Sequence, residues 1–185
     1  MKISKQFILQ FLSQSVENEF ELDDFKVAIS EYKKTKDRHS MIASTIQSVF
    51  EDYSQTKSFY ELIDSMCEEE YFNTIVPKLS FGRQKGHTTA LSLFIKNNPS
   101  LNIVVITPTT SMSRYVADTI GNNVDNVSIY SSSNPSSIRQ IDRKTDVIIF
   151  DELPSLTSVF RSGIYTIASI AKSRRIPLIV LGGTL

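Results

Sequence analysis

Residues 86–89 combine a glycine, a histidine and two threonines in an order that is suited to binding phosphate. A phosphate-binding loop needs glycine where the backbone turns tightly, lysine for the terminal phosphate oxygens and a Ser/Thr hydroxyl for Mg²⁺. Gly86, Thr88 and Thr89 meet two of these needs, while His87 stands where the lysine is expected. Taken alone, a solvated glycine turn between two elements would have a similar sequence.

The cations next to this loop decide whether it supports hydrolysis of a bound nucleotide. Histidine is shorter than lysine, and its unperturbed pKa of about 6.5 leaves it mostly neutral at physiological pH. A bound triphosphate would raise the pKa of His87, and Arg83 and Lys85, which flank Gln84, supply further charge. We therefore expect residues 83–89 to hold a nucleotide, with turnover depending on Arg83 and His87.

Two adjacent carboxylates, Asp151 and Glu152, follow the apolar run at residues 147–150. In open parallel sheets, ligands bind at the C-terminal ends of the strands. We expect Asp151 to hold Mg²⁺ together with Thr88, and Glu152 to orient or deprotonate the attacking water. The alternative is that the pair ends a strand because the chain returns to solvent.

Thr184 follows two glycines at the end of another apolar run, residues 176–181. Its hydroxyl is placed to sense the terminal phosphate of a nucleotide. An ordinary threonine in a glycine turn is an equally good interpretation of this segment.

Apolar runs and turn residues predict the elements that position these side chains. Buried parallel strands are expected at residues 101–109, 146–150 and 176–181, with a short strand at 127–130. Residues 88–97 suit a helix that packs on the sheet and stops before Pro99. The succession of strand, loop, helix and strand predicts an α/β fold with a mainly parallel sheet.

The N-terminal part is predicted to be helical, since apolar residues recur there at helical spacing. Polar connectors are expected at residues 19–24 and 34–38, with His39 in a charged loop, and another helix from about residue 58 to 66. We expect a helical region at 1–72 and the α/β core at 73–185. The polar stretches at 122–126 and 131–137 are predicted to be surface loops. The apolar helical positions are Ile3, Phe7, Ile8, Phe11, Leu12, Phe25, Ala28, Ile29, Tyr32, Met41, Ile42, Ile46, Val49 and Phe50.

Composition indicates a soluble protein of a reducing compartment. The 185 residues are 41% hydrophobic and 10% aromatic, which is enough to bury a substantial core. Cys67 is the only cysteine, so no internal disulfide can form. No apolar run approaches the roughly 20 residues of a membrane span. We expect a cytoplasmic location without membrane attachment, in the host cell if the protein is viral.

Charge is unevenly distributed along a chain of zero formal net charge. Residues 1–80 carry 9 basic and 14 acidic side chains, a net −5, and residues 81–185 carry 11 and 6, a net +5. The basic side chains of the second half could form a face for nucleic-acid phosphates or could be ordinary solvated charge. These are Arg114, Arg139, Arg143, Lys144, Arg161, Lys172, Arg174 and Arg175.

Residues 78–89 resemble the deviant Walker A segment of large terminase subunits, the DNA-packaging ATPases of tailed bacteriophages, whose usual form is S-R-Q-x-G-K-T-T. Gly82 replaces the serine of that pattern and His87 replaces its lysine. The strand that ends at residues 151–152 is similar to the family's Walker B, and residues 182–184 stand where the family has its coupling motif. Matching positions are Arg83, Gln84, Gly86, Thr88 and Thr89.

This resemblance covers roughly residues 74–185 and implies a P-loop NTPase, a three-layer sandwich of the additional-strand, catalytic-glutamate class. It implies ATP and Mg²⁺ as ligands and Glu152 as the catalytic carboxylate. It also implies that Arg83 acts on the terminal phosphate as an arginine finger supplied in cis. Expected partners are double-stranded DNA and either further copies of this chain or other packaging proteins.

Superfamily-2 helicases offer an alternative, since residues 106–109 resemble their motif Ia and residues 151–152 the start of their motif II. Leu153 and Pro154 depart from that motif, and 185 residues leave no room for a second motor domain. Terminases likewise have a nuclease domain after the ATPase, so we expect either part of a longer chain or a small relative that works with partners. A nucleotide switch without turnover and an assembly protein with a degenerate loop also remain open.

Overall fold

The chain divides into two compact units, residues 1–38 and 39–185. In this computed structural model the described residues are 22–55, 63–79, 86–121, 124–152 and 158–182. The first unit contributes the beginning of a long helix, α1 (Leu22–Gln55).

A five-stranded sheet forms the centre of the second unit. Its strands lie in the order β1-β5-β4-β2-β3, and every neighbouring pair is parallel. The predicted α/β class, the parallel sheet and the three long buried strands are confirmed, and the short strand predicted at 127–130 is the edge strand β3. The strands are β1 (Lys78–Leu79), β2 (Ile103–Thr107), β3 (Val127–Ser131), β4 (Val147–Asp151) and β5 (Leu178–Leu181).

Helices connect the strands, as parallel pairing requires. The predicted helix at 88–97 is confirmed as α3, and Thr109 caps α4, because its Oγ1 accepts the Met112 N–H at 3.3 Å. The helices are α2 (Glu68–Glu70), which continues as a π-helical turn (Tyr71–Ile75), α3 (His87–Asn97), α4 (Thr110–Ile120), α5 (Pro135–Ile138) and α6 (Ser158–Arg174).

Both faces of the sheet are covered, which gives three layers. Alternate residues of a strand point to opposite faces, so Ile148 and Phe150 of β4 face α6, whereas Val147 and Ile149 face α1, α3 and α4. Each fully buried Val, Leu, Ile or Phe contributes about 1.5–3 kcal/mol relative to an exposed one. One apolar cluster lies on each face of the sheet. The two clusters therefore determine which helices pack on which face.

Two predicted connectors are wrong where the structure describes them. Residues 22–24, part of the connector predicted at 19–24, form the start of α1. Residues 34–38 and His39, predicted to form a polar connector and a charged loop, lie inside α1. The segment holds no glycine or proline, and lysine and arginine are good helix formers, so polarity alone does not end a helix there. Thr35 accommodates its hydroxyl by donating to the Glu31 carbonyl at 2.9 Å.

The predicted polar stretches are only partly loops. Residues 135–137, predicted to belong to a surface loop, lie in the short helix α5, which starts with Pro135, a residue whose fixed φ suits a first helical position. The helix predicted at 58–66 is described from residue 63 on, where residues 63–65 are helical. Residues 1–21 and 122–123, which carry further predicted helices and part of a predicted loop, lie outside the described residues. The boundary near residue 72 stays a prediction.

Within the described ranges, none of the helices combines the length and apolarity that crossing a membrane would require. This agrees with the absence of a long apolar run in the sequence.

Candidate active site

Three strand ends lie in one row at the C-terminal edge of the sheet. Leu181 pairs with Leu79 on one side and with Asp151 on the other. The row continues by one more step, since Gly182 N–H donates to the Leu79 carbonyl at 2.9 Å and Glu152 N–H donates to the Leu181 carbonyl at 2.8 Å. The ends of β1, β4 and β5 therefore lie side by side. In the sequence, the predicted phosphate loop follows β1, Glu152 follows β4 and the glycine pair follows β5.

Gly86 begins α3 in the left-handed conformation, with φ 77° and ψ 34°. Only glycine adopts this conformation without steric cost, which explains the residue type. Its carbonyl accepts the Ala90 N–H at 2.9 Å and so closes the first turn of the helix. The first N–H groups of a helix have no intrahelical partner and attract anions, so the start of α3 has the geometry that a phosphate site needs.

Thr88 and Asp151 are joined across 63 residues of sequence by a hydrogen bond. Thr88 Oγ1 donates to Asp151 Oδ2 at 2.8 Å. The contact follows from strand periodicity, since Asp151 shares its face of β4 with Val147 and Ile149, the face that α3 covers. The sheet thus brings a carboxylate and a hydroxyl, both oxygen ligands, to the first turn of α3.

Burial sets the electrostatics of Asp151, which keeps only 3% of its surface exposed. Burial raises the pKa of its carboxyl above the ordinary 3.8, and the nearby charge of Glu152 raises the pKa further. The hydrogen bond from Thr88 and the charge of His87 act in the opposite direction on this pKa. The carboxylate is therefore a buried acid whose charged form a cation would stabilise.

His87, the first residue of α3, packs against the end of β5. Its Nδ1 and Cε1 atoms lie 3.0 and 3.2 Å from the position that a Cβ on Gly182 would occupy. Gly182 has φ 73°, so both its conformation and its close approach to the imidazole favour glycine. The residue at the predicted lysine position therefore contacts the strand end next to Asp151.

Glu152 is the first residue beyond β4 and has φ 72°, in the left-handed region. This conformation costs a non-glycine residue about 1–2 kcal/mol, and such strain clusters at functional sites. The side chain is exposed at the edge of the sheet, beside the left-handed Gly182, whose hypothetical Cβ lies 3.7 Å from Glu152 Cα. The backbone thus turns Glu152 out of the strand at the same edge as the loop.

His39 was not predicted to belong to the site, yet its half-buried imidazole lies against Gly86. Its Cδ2 and Cε1 atoms are 2.6 and 3.2 Å from the position that a Cβ on Gly86 would occupy, so a side chain there would require the imidazole to shift. Its spacing from Ile42 and Ile46, two buried residues of α1, would have placed it on the same helical face.

Of the remaining predicted site residues, only Thr89 lies within the described ranges. Thr89 is exposed in the first turn of α3. Arg83, Gln84, Lys85 and Thr184 lie outside the described residues, so their predicted roles remain predictions.

Lys78, just before the predicted loop, serves the fold. Its Nζ donates to the carbonyls of Phe72 and Asn73 at 2.7 and 3.1 Å and lies 5.0 Å from the centre of the Phe72 ring. Burial lowers the pKa of its amino group. Cations are favoured at helix C-termini, so Lys78 caps the turn before β1.

Several basic residues proposed for a nucleic-acid face are engaged elsewhere. Arg174 donates to the Ile141 carbonyl at 2.7 Å, Lys172 donates to the Met66 carbonyl, and Arg175 pairs with Asp64 at 3.5 Å. These contacts tie the C-terminal end of α6 to its neighbours. Arg114, Arg139, Arg143 and Lys144 are exposed on other segments.

The residues at the sheet edge fit a magnesium–nucleotide complex. Mg²⁺ prefers oxygen ligands, keeps several waters and is usually held by one or two carboxylates together with substrate phosphates. A buried carboxylate that is hydrogen-bonded to a threonine hydroxyl at a helix N-terminus offers oxygen donors of this kind. Among the described residues no group of three or more His, Cys, Asp or Glu could hold a metal, so an all-protein metal cage is not found in those ranges.

No protein-family model matches this sequence, and no curated protein is significantly similar to it. The functional proposal therefore depends on the site geometry and on the local resemblance of the loop, the acidic pair and the glycine pair.

Proposed function

We propose that this chain is a Mg²⁺-dependent P-loop ATPase whose site lies at the C-terminal ends of β1, β4 and β5. The observation that carries the proposal is the 2.8 Å hydrogen bond from Thr88 Oγ1 to Asp151 Oδ2. A Ser/Thr at the start of the loop helix and an aspartate at the end of a strand are the two protein groups that hold Mg²⁺ in P-loop NTPases. In this chain they contact each other directly.

The order of the strands supports the same proposal. β5 lies between β1, which precedes the loop, and β4, which ends in the acidic pair. An additional strand in this place defines the class of P-loop ATPases to which the sequence resemblance points. The order also sets Gly182 beside both other strand ends, where a coupling motif would respond to the nucleotide.

Each described residue has a role in binding. The left-handed Gly86 lets the backbone approach the phosphates, and the first N–H groups of α3 face the anion. Thr88 and Asp151 supply the oxygen ligands for Mg²⁺. A bound Mg²⁺ would neutralise negative charge on the phosphates.

Glu152 is the proposed general base of the hydrolysis. Its left-handed backbone directs the chain out of the sheet, and its exposed carboxylate lies beyond the buried Asp151. This separation lets Asp151 serve the cation while Glu152 orients a water and accepts its proton. Arg83, outside the described residues, is proposed to stabilise charge on the transferred phosphate.

The wider role proposed for the ATPase is DNA packaging. It depends on the terminase-like pattern of residues 78–89 and on the net +5 charge of residues 81–185. On this proposal, ATP hydrolysis drives translocation of double-stranded DNA, and further copies of this chain or other packaging proteins complete the motor.

The proposal predicts the effect of Glu152→Gln on ATP turnover. Because the amide cannot accept the water's proton, kcat should fall by about 10²–10⁴-fold while ATP affinity is retained. The measurement is steady-state phosphate release with Mg²⁺, with and without double-stranded DNA, accompanied by ATP binding of both proteins. Stimulation by DNA would support a motor.

A hydrolysis rate equal to that of the wild type would contradict the role of Glu152. Glu69→Gln, an exposed glutamate on α2, is the matched control and should leave the rate unchanged.

A nucleotide switch without turnover is the second candidate, and the position of His87 favours it. The imidazole that replaces the lysine packs against Gly182. Unlike a lysine, it has no long flexible stem with which to reach the terminal phosphates. Tight ATP binding with no phosphate release, even with DNA present, would decide for the switch.

A further inference from the structure

The contact between His39 and Gly86 brings a second imidazole to the proposed phosphate site. Its ring atoms lie against the residue that precedes α3, and a Cβ there would require the imidazole to shift. α1 is held beside α3 by two further contacts, a 2.7 Å hydrogen bond from Asn98 Nδ2 to Gln47 Oε1 and the edge-to-face packing of Phe50 on Phe94. His39 is therefore carried on an anchored helix.

We propose that His39 is a phosphate-binding residue of this site, supplied by α1; this inference depends on the proposed function. An anion bound by the first N–H groups of α3 lies next to Gly86, because Gly86 is the residue before them. The His39 ring contacts that same residue. A ring N–H of an imidazole can donate to a phosphate oxygen, and a protonated ring adds positive charge.

The placement of His87 gives His39 its importance. The His87 ring packs against Gly182 and acts electrostatically on Asp151. A lysine in that position would extend toward the terminal phosphates, but a shorter imidazole engaged at the strand end does so less well. His39 offers the site a donor that comes from outside the loop sequence and takes over part of that task.

The test compares phosphate affinity across His39 variants. The ligands are a non-hydrolysable ATP analogue and inorganic tripolyphosphate, each titrated with Mg²⁺ into wild type, His39→Ala, His39→Gln and His39→Lys. We expect His39→Ala to weaken both ligands by about 10- to 100-fold, the usual effect of losing a hydrogen bond to a charged group. His39→Lys should restore most of the affinity, and His39→Gln, which keeps an N–H donor, should lose less than alanine.

Gln47→Ala is the matched control on the same helix. It removes the contact between α1 and Asn98 without touching Gly86, so it reports the effect of loosening the helix. We expect it to leave both affinities unchanged. Melting temperatures without ligand identify any variant that fails to fold, and His39→Gln serves in place of alanine if alanine does.

Several outcomes would overturn the inference. Unchanged affinity in His39→Ala, tighter binding, an equal loss in Gln47→Ala, failure of lysine to restore binding, or a loss seen for the ATP analogue and not for tripolyphosphate each exclude phosphate contact by His39. If the wild type binds the analogue and only the His39 effect is missing, the proposed function stands. If the wild type binds neither ligand, both proposals fail.

Discussion

Asp151 is the acid whose environment the fold changes most clearly. With 3% of its surface exposed, its carboxyl has a pKa raised by burial, while Thr88 and His87 oppose the shift. A buried carboxylate at a sheet edge destabilises the fold unless its charge is compensated. A bound cation would provide that compensation.

This environment predicts how Asp151→Asn changes stability with pH. A carboxyl whose folded pKa lies above 3.8 binds more protons in the native state, so its contribution to stability is complete below pH 3.8 and is lost as pH rises through the folded pKa. The asparagine variant lacks this loss and can still accept from Thr88. Its free energy of unfolding relative to wild type should therefore increase with pH through this window and then stay constant.

Urea unfolding of both proteins from about pH 3.5 to 7 measures the difference. A difference that stays constant over the range, or that changes with the opposite sign, would contradict the raised pKa. In the same variant, Mg²⁺ should no longer strengthen ATP binding.

At the scale of elements, strand periodicity explains why Thr88 meets Asp151. The apolar run at 147–150 places Asp151 on the same face as Val147 and Ile149, and α3 covers that face. Once α3 is assigned to that face of the sheet, the contact between Thr88 and Asp151 can be inferred. The conformation of Glu152, with φ 72°, could not, because left-handed φ in a non-glycine residue depends on tertiary contacts.

His39 escaped prediction for a different reason. Polar residues at 34–38 were interpreted as a connector, which removed His39 from the helical pattern of Ile42 and Ile46. Helix propensity and the absence of glycine or proline were the better guides at this point. A continuous helix would have placed His39 on the buried face, although its contact with Gly86 required the structure.

The junction of α1 and α3 predicts coupling between Gly86 and His39. Gly86→Ala should cost about 1–2 kcal/mol for the left-handed backbone, plus about 1–3 kcal/mol for overpacking against the imidazole. In a His39→Ala background the second cost should disappear. A double-mutant cycle by urea unfolding therefore predicts a coupling energy of about 1–3 kcal/mol. Strictly additive effects would show that the two residues do not touch in solution.

At the scale of the whole molecule, the second unit is a sheet between two helical layers, with the candidate site at one edge. The order of strands places the ends of β1, β5 and β4 together, so segments far apart in sequence converge there. Composition and apolar runs predicted the class and the parallel sheet. They did not predict the continuous helix α1, because the polar residues at 34–38 suggested a connector in spite of their helix propensity. They did not predict the short helix α5, because its serine-rich segment suggested a loop.

The most direct test of the account is equilibrium binding of a non-hydrolysable ATP analogue to wild type and Thr88→Val, with Mg²⁺ and with EDTA. The account predicts that Mg²⁺ strengthens binding to the wild type, and that ligand at about 100 times Kd stabilises it by about 2.7 kcal/mol. Thr88→Val, which loses the hydroxyl that contacts Asp151, should lose the Mg²⁺ effect, and Thr88→Ser should keep it. Failure of millimolar analogue with Mg²⁺ to raise the wild-type melting temperature would contradict the central claim.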